Sequence, residues 1–107
     1  MITIDDFSKI DLRVATIVSA APHPNADRLL VLEIDLGSER RQLVAGIRAH
    51  YTPEDLVGTQ IVVIANLEAA TLRGVRSEGM LLAASDAEGN LAVISPRRQL
   101  APGARVK

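Results

Sequence analysis

Arg28-Leu29-Leu30-Val31-Leu32-Glu33-Ile34-Asp35-Leu36 is the stretch whose pattern decides the fold. Leu30, Leu32, Ile34 and Leu36 recur at a spacing of two and so share one face, with Glu33 and Asp35 on the other. That alternation is the signature of a strand with one side in the core. Gly37-Ser38-Glu39 then supplies a turn, and Arg41 to Ala45 returns as the next strand, completing a hairpin that Gly46 ends.

Working outward, Leu12 to Ala20 is rich in Val, Ile and Thr and reads as the strand before this hairpin. The cluster Pro22-His23-Pro24-Asn25 predicts a loop between them, because proline has no N–H to give to a ladder. Further upstream, Thr3-Ile4-Asp5-Asp6 places a capping hydroxyl before two acids and predicts one helical turn over about residues 4–9. Downstream, Thr52-Pro53-Glu54-Asp55 is a second helix start, with Thr as cap and Pro at the first helical position, closed by Gly58. Gln60 to Asn66 is a nearly uninterrupted apolar strand, expected to be covered on both faces. Gly74 breaks the following loop, and Gly79 bends the chain before a strand over Met80–Ala84. Asp86 to Asn90 is a turn, Leu91–Ile94 a last strand, and Pro96 and Pro102-Gly103 predict an irregular tail.

Five or six short strands with one short helix between the third and fourth predict an all-β fold, an OB-fold five-stranded Greek-key barrel with extra terminal segments. A plain small sandwich is the competing arrangement. The 107 residues make a single domain, with the barrel over about residues 11–95.

Composition narrows the function. There are no cysteines, which excludes a disulfide framework and a thiolate metal site. No apolar run approaches the roughly 20 residues a membrane span needs, and the first residues lack the pattern of a secretory signal, so no membrane association and a cytoplasmic location are expected. The chain is 48% hydrophobic with a mean hydropathy of +0.18, yet Phe7 and Tyr51 are its only aromatic residues. In so small a domain that aliphatic excess predicts burial against a partner, most simply a second copy. Net charge is −1, but residues 1–39 carry seven acids against three bases and residues 40–107 six acids against nine bases. All of those later bases except Lys107 are arginines.

Catalysis finds little support. His23 and His50 are far apart with no acidic pair at ligand spacing, so no metal site is expected. Ser77-Glu78 has no histidine near it in sequence, and Gly74 and Gly79 do not form a phosphate-binding glycine pattern. The arginines are more informative. Arg40 and Arg41 sit at the hairpin, Arg48 follows the third strand, Arg73 and Arg76 flank Gly74, and Arg97 and Arg98 lie in the tail. A guanidinium fork matches phosphate bidentately. Any one of these could instead be a solvated charge or an ion-pair partner. As a set they fall at strand ends and loops, where an OB barrel presents its binding surface. Single-strand binding by such barrels needs aromatic platforms, which this chain lacks, so an RNA partner would be folded RNA read by shape.

The blocks Asp11-Leu12-Arg13-Val14-Ala15, His23-Pro24-Asn25-Ala26-Asp27-Arg28-Leu29, Gly46-Ile47, Ala65-Asn66-Leu67 and Leu72-Arg73-Gly74-Val75-Arg76-Ser77-Glu78-Gly79-Met80 occur in that order. In this the chain resembles the tRNA-binding domain found as a free-standing dimeric protein and as the C-terminal extension of bacterial methionyl-tRNA synthetases. Similar modules occur in the beta chain of phenylalanyl-tRNA synthetase and in eukaryotic synthetase-associated cytokine precursors. The resemblance covers essentially the whole chain, and its Arg-Gly-Val-Arg-Ser-Glu-Gly-Met segment is highly specific. It implies an OB barrel that binds tRNA at the outer corner of its L shape, without catalysis or cofactor, and raises the tRNA affinity of a methionyl-tRNA synthetase catalytic chain. It also implies a homodimer, formed through the N-terminal turn and C-terminal tail.

The resemblance marks Ser77 and Met80 as RNA-contacting positions, and Arg28 stands where relatives carry lysine. Arg41, Arg48, Arg73 and Arg76 are phosphate candidates by location, and Asn66 is a loop-end amide able to cap a turn or bond a nucleotide. Glu78, beside a polyanion, is expected to hold an Arg or a backbone amide. Two other readings stay open: a chaperone-like peptide-binding dimer of the same fold, and a dimerisation module without RNA binding.

Overall fold

Strands form where alternation and β-branching are strongest. In the computed structural model, which describes residues 1–107, α1 spans Ile4–Ser8, β1 Leu12–Pro22, β2 Leu30–Asp35 and β3 Arg40–Ala45. After α2 (Pro53–Leu56) come β4 (Gln60–Ile64), β5 (Ala70–Leu72), β6 (Val75–Ser77), β7 (Met80–Leu81), β8 (Ala83–Ser85), β9 (Leu91–Val93) and β10 (Arg105–Val106).

The main sheet runs β3-β2-β1-β4-β7, antiparallel throughout, with β10 added beside the start of β1. β1 serves two neighbours in succession. Its first half pairs with β4 from Leu12↔Ile64 to Thr16↔Gln60, and its second half with β2 from Thr16↔Asp35 to Pro22↔Leu30. The register slips between Ile17 and Ser19, and the bend that such an irregularity introduces lets one strand pass around the barrel wall.

The alternation in β2 has the expected consequence. Leu30, Leu32 and Ile34 are fully buried, and each contributes about 1.5–3 kcal/mol of burial. They pack with Ala15, Ile17, Leu43, Ile47, Ile61 and Val63 in one core. Leu56 of α2, between the third and fourth strands, adds to it. β4 is buried at four of its five positions, as a continuous apolar run requires.

The barrel closes between β3 and the segment joining β6 to β7. The Glu78 N–H donates to the Gln42 carbonyl (2.8 Å), and the Gln42 N–H donates back to the Glu78 carboxylate (3.2 Å). Gly79 makes this approach possible. At φ +147° a Cβ would stand 3.0 Å from the Ile64 carbonyl oxygen and 3.1 Å from Leu43 Cδ2. The result is a nearly closed barrel of five antiparallel strands.

Several local expectations need correction. Pro22 ends β1 rather than starting the loop, since the last residue of a strand can lack a donor at little cost. The expected strand over Met80–Ala84 is two short strands, interrupted where Leu82 turns its N–H to Val62 O (3.0 Å) and its carbonyl to Ile94 N–H (2.9 Å). The loop around Gly74 is a small hairpin, β5–β6. The tail is ordered: Val14 N–H donates to Ala104 O (2.8 Å), Gly103 N–H to Val14 O (2.7 Å), and the Gln60 amide brackets the Leu100 backbone. Thr52 caps α2 without a side-chain hydrogen bond, whereas Thr3 and Asp6 form a complete capping box on α1. No helix is long and apolar enough to cross a membrane.

Candidate nucleic-acid interface

The eight residues singled out from the sequence divide into those that frame the barrel and those that face outward. Asn66 belongs to the frame. Its side-chain oxygen accepts from the Asp11 N–H (2.8 Å) and its amide donates to Lys9 O (2.7 Å), tying the N-terminal segment to the end of β4. Arg41 is also committed. Its guanidinium donates to the Ala65 and Glu78 carbonyls and to the Glu39 carboxylate (2.7 Å), joining both sides of the barrel closure.

Ser77 is only 5% exposed. Its hydroxyl accepts from the Val44 N–H (3.0 Å) and donates to Gly79 O (3.0 Å), so it carries the β3 ladder across the closure. Glu78 takes a backbone amide, as expected of an acid in this position. Gln42, which carries no signal in the sequence, also donates its side-chain amide to Arg76 O (2.7 Å). The residue two before it, Arg40, is engaged with Glu33 (3.3 Å).

Arg28, Arg73, Arg76 and Met80 face outward. Arg28 and Arg73 come together from distant parts of the chain and line one notch of about 330 Å³ with Asn25, Ala26 and Asp27. Neither guanidinium has an ion-pair or hydrogen-bond partner within the chain, nor has that of Arg76. Arg73 is the one non-glycine residue at positive φ (+52°), a left-handed conformation that costs roughly 1 kcal/mol. Arg48 braces the same loop by donating to Ala26 O (3.3 Å).

The notch is assembled by a residue that the sequence dismisses as a metal ligand and marks only as the first of the block His23 to Leu29. His23 is buried, accepts the Asn25 N–H at Nδ1 (2.9 Å), and therefore carries its proton on Nε2, which donates to Leu72 O (2.9 Å). The ring pins the loop carrying Arg28 to the hairpin carrying Arg73. Its sequence signals are that block and its place as a polar residue between two prolines, Pro22 and Pro24.

Beside the notch runs an apolar groove of about 510 Å³, with eleven apolar residues among the fifteen that line it. Leu67, Leu72 and Met80 are its exposed large side chains. Asp11 and Arg13 form a half-buried pair (2.9 Å), and this hydrogen bond holds the Asp11 carboxyl below the usual carboxylate range. No three His, Asp or Glu side chains converge as metal ligands.

Fold and site together define a small OB-type barrel whose outward arginines border an apolar groove. The family described as "Putative tRNA binding domain" matches residues 12–105, and the chain belongs to this tRNA-binding domain family. It is 54% identical over 105 residues to the methionine–tRNA ligase of Thermotoga maritima, covering 98% of this chain and 16% of that protein. With the methionine–tRNA ligase of Thermococcus kodakarensis it shares 52% identity over 106 residues, 99% of this chain and 14% of that one. The chain thus spans less than a fifth of the length of these relatives.

Among solved structures, a MetRS related protein from Pyrococcus horikoshii superposes with a TM-score of 0.94 at 31% identity, covering 100% of this chain and 98% of that one. The chaperone CsaA from Bacillus anthracis gives 0.90 at 32%, covering 100% and 99%. The C-terminal domain of Plasmodium vivax p43 gives 0.87 at 32%, covering 94% and 61%.

Proposed function

We propose that the chain is a non-catalytic module that binds tRNA by its folded shape and raises the tRNA affinity of a methionyl-tRNA synthetase, either attached to it or associated with it. The observation that carries this reading is the convergence of Arg28 and Arg73, free of any carboxylate partner, in one notch beside Arg48. Four other cations of the chain (Lys9, Arg13, Arg40 and Arg41) are neutralised by neighbouring acids. Free, pre-positioned guanidinium groups suit phosphate. Arg28, Arg48, Arg73, Arg76 and Met80 face the RNA, while Ser77, Arg41 and Asn66 hold the frame. The module acts in the cytoplasm as a homodimer.

Binding of unfractionated tRNA and of single-stranded RNA of equal length, at two salt concentrations, tests this reading. Tight, salt-sensitive preference for tRNA is expected. Replacing Arg73 and Arg76 by Ala lowers the slope of log affinity against log salt by about one for each phosphate that the variant no longer neutralises. Equal binding of both RNAs, or an unchanged slope, overturns it.

A second reading has its own support in the apolar groove and in the similarity to a chaperone, namely that the groove holds an apolar peptide. Such binding would be insensitive to salt.

A further inference from the structure

The groove and the notch are lined by neighbouring residues of the β5–β6 hairpin, and this adjacency points to a single kind of occupant. Leu72 lines the groove, and the next residue, Arg73, lines the notch. The hydrogen bond from His23 Nε2 to the Leu72 carbonyl fixes the boundary between them (2.9 Å). An apolar, concave surface therefore stops where a pair of unpaired guanidinium groups begins. Asp27 is the one carboxylate in the notch, and it pairs with neither arginine.

We propose that this composite surface holds one extruded nucleotide of a folded RNA, its base in the groove beside Leu72 and Met80 and its phosphate on Arg28 and Arg73. The inference rests on the tRNA-binding reading above and adds where, and in what conformation, a nucleotide is held. An extruded nucleotide offers flat apolar faces beside an anionic sugar-phosphate flank, the same arrangement as the surface it would meet. The groove's roughly 510 Å³ lies in the range of small-ligand sites. With no aromatic side chain in its lining, the groove grips the base by aliphatic and thioether contact. Glu68 is the groove's one charged lining residue, and its carboxylate suits a base edge that donates, as guanine does. An apolar peptide would fill the groove but leave Arg28 and Arg73 without an anion, which is why charge complementarity favours the nucleotide.

The strained Arg73 fits this assignment. Arg73 (φ +52°) and Gly74 (φ +90°) make a two-residue hairpin turn whose central positions both take positive φ, so glycine would be the unstrained choice at Arg73 as well. The turn sets an arginine in the notch directly after the groove residue Leu72.

The test uses the intact chain and three labelled RNA hairpins of equal stem length: one with a single guanosine bulge, one with an abasic bulge, and one fully paired. The guanosine bulge is expected to bind about tenfold more tightly than the abasic hairpin. Leu72→Ser, at an exposed position that leaves the core untouched and adding no charge beside Arg73, reduces that ratio to within twofold and keeps the salt slope. Arg73→Gly, which relieves strain while removing charge, weakens all three hairpins alike and lowers the salt slope by about one. Equal binding of guanosine and abasic bulges, with tRNA still bound tightly, overturns the extruded-nucleotide inference and leaves shape recognition standing. An apolar decapeptide that binds the intact chain but not Leu72→Ser, with RNA binding indifferent to that change, assigns the groove to peptide and overturns it too. Failure of tRNA and all three hairpins to bind overturns the tRNA-binding reading, and this inference falls with it.

Discussion

Ser77 shows how a residue's chemistry can be clear while its direction is not. A serine in the Ser-Glu-Gly-Met segment invites an RNA contact, since a hydroxyl suits a phosphate or a 2′-OH. In the fold that hydroxyl has both its partners inside the chain, Val44 N–H and Gly79 O. Ser77→Ala strands a buried N–H and is expected to lower stability by about 1–3 kcal/mol. For a chain of this size that is a fall in Tm of roughly 4 °C or more. Thermal unfolding checks it, and tRNA affinity measured well below the variant's Tm should be unchanged. A tenfold loss of affinity with an unaltered Tm would place the hydroxyl on the RNA instead. His23 makes the complementary point. Its imidazole is set aside as a metal ligand in the sequence and acts as a double hydrogen-bonding staple in space, a role hidden because both its partners are backbone groups.

At the scale of elements, the longer strands are legible in the sequence and the short ones are not. β2 and β4 are long enough for alternation or continuous apolarity to be counted, and both form where expected. The β5–β6 hairpin is three residues a side around Arg73-Gly74, too short for any period to register. Its glycine alone suggests a loop, which hides the role of the exposed apolar residues Leu67 and Leu72 in shaping the groove. The arginines are legible as a set, yet which are free is not, since the commitment of Arg41 to the Ala65 and Glu78 carbonyls and the freedom of Arg73 depend on how segments meet in space.

The β8–β9 turn carries a prediction of its own. The Asp86 carboxylate accepts from the Asn90 side chain, the Asn90 N–H and the Glu88 N–H, and these hydrogen bonds hold its pKa below the ordinary 3.8. A depressed folded-state pKa means that the contribution is present above the unfolded value and is lost as pH falls through the folded one. Urea unfolding of Asp86→Ala should therefore show a destabilisation at pH 6 that shrinks as pH falls below about 3.8, the ordinary aspartate range. A destabilisation independent of pH would mean that the carboxylate charge plays no part in the turn.

The C-terminal tail is held as firmly as a strand. Its prolines suggest irregular chain, and instead Gly103 lies so close to Leu36 O, and Gly37 to Pro102 O, that neither position has room for a Cβ. Deleting residues 96–107 removes the backbone bonds to Val14 and both Gln60 bonds to Leu100, at about 1 kcal/mol each. With the β1–β10 pairing lost as well, the summed loss is at least about 4 kcal/mol against the 5–15 kcal/mol that holds a typical domain. Denaturant titration of the shortened chain should show that loss even at concentrations where the intact chain is monomeric. An unchanged midpoint would mean that the tail contributes nothing to its own barrel.

The whole molecule leaves its N-terminal end without a partner. α1 has a complete capping box, yet none of its residues is buried, and Ile2, Ile4 and Ile10 are all exposed. A five-residue helix has little stability of its own, so its caps alone do not explain why the apolar residues around it should be isoleucines. Leu100 in the tail is exposed as well, and the Asn66 clamp on Lys9 O and Asp11 N–H gives the N-terminal segment a fixed position on the barrel. A fixed, apolar, uncovered segment on an 11.5 kDa domain is suited to burial against a second copy. Sedimentation of the intact chain is expected to give a dimer, and Ile2→Glu with Ile4→Glu to give a monomer whose unfolding at fixed concentration loses the stabilisation that association supplies. Because the arginine notch lies on the loop and hairpin pinned by His23, and not on α1, that monomer should keep the salt slope of tRNA binding for each chain while its affinity falls. A dimer that survives both substitutions would assign the interface to another face and leave the exposed isoleucines without a role in self-association.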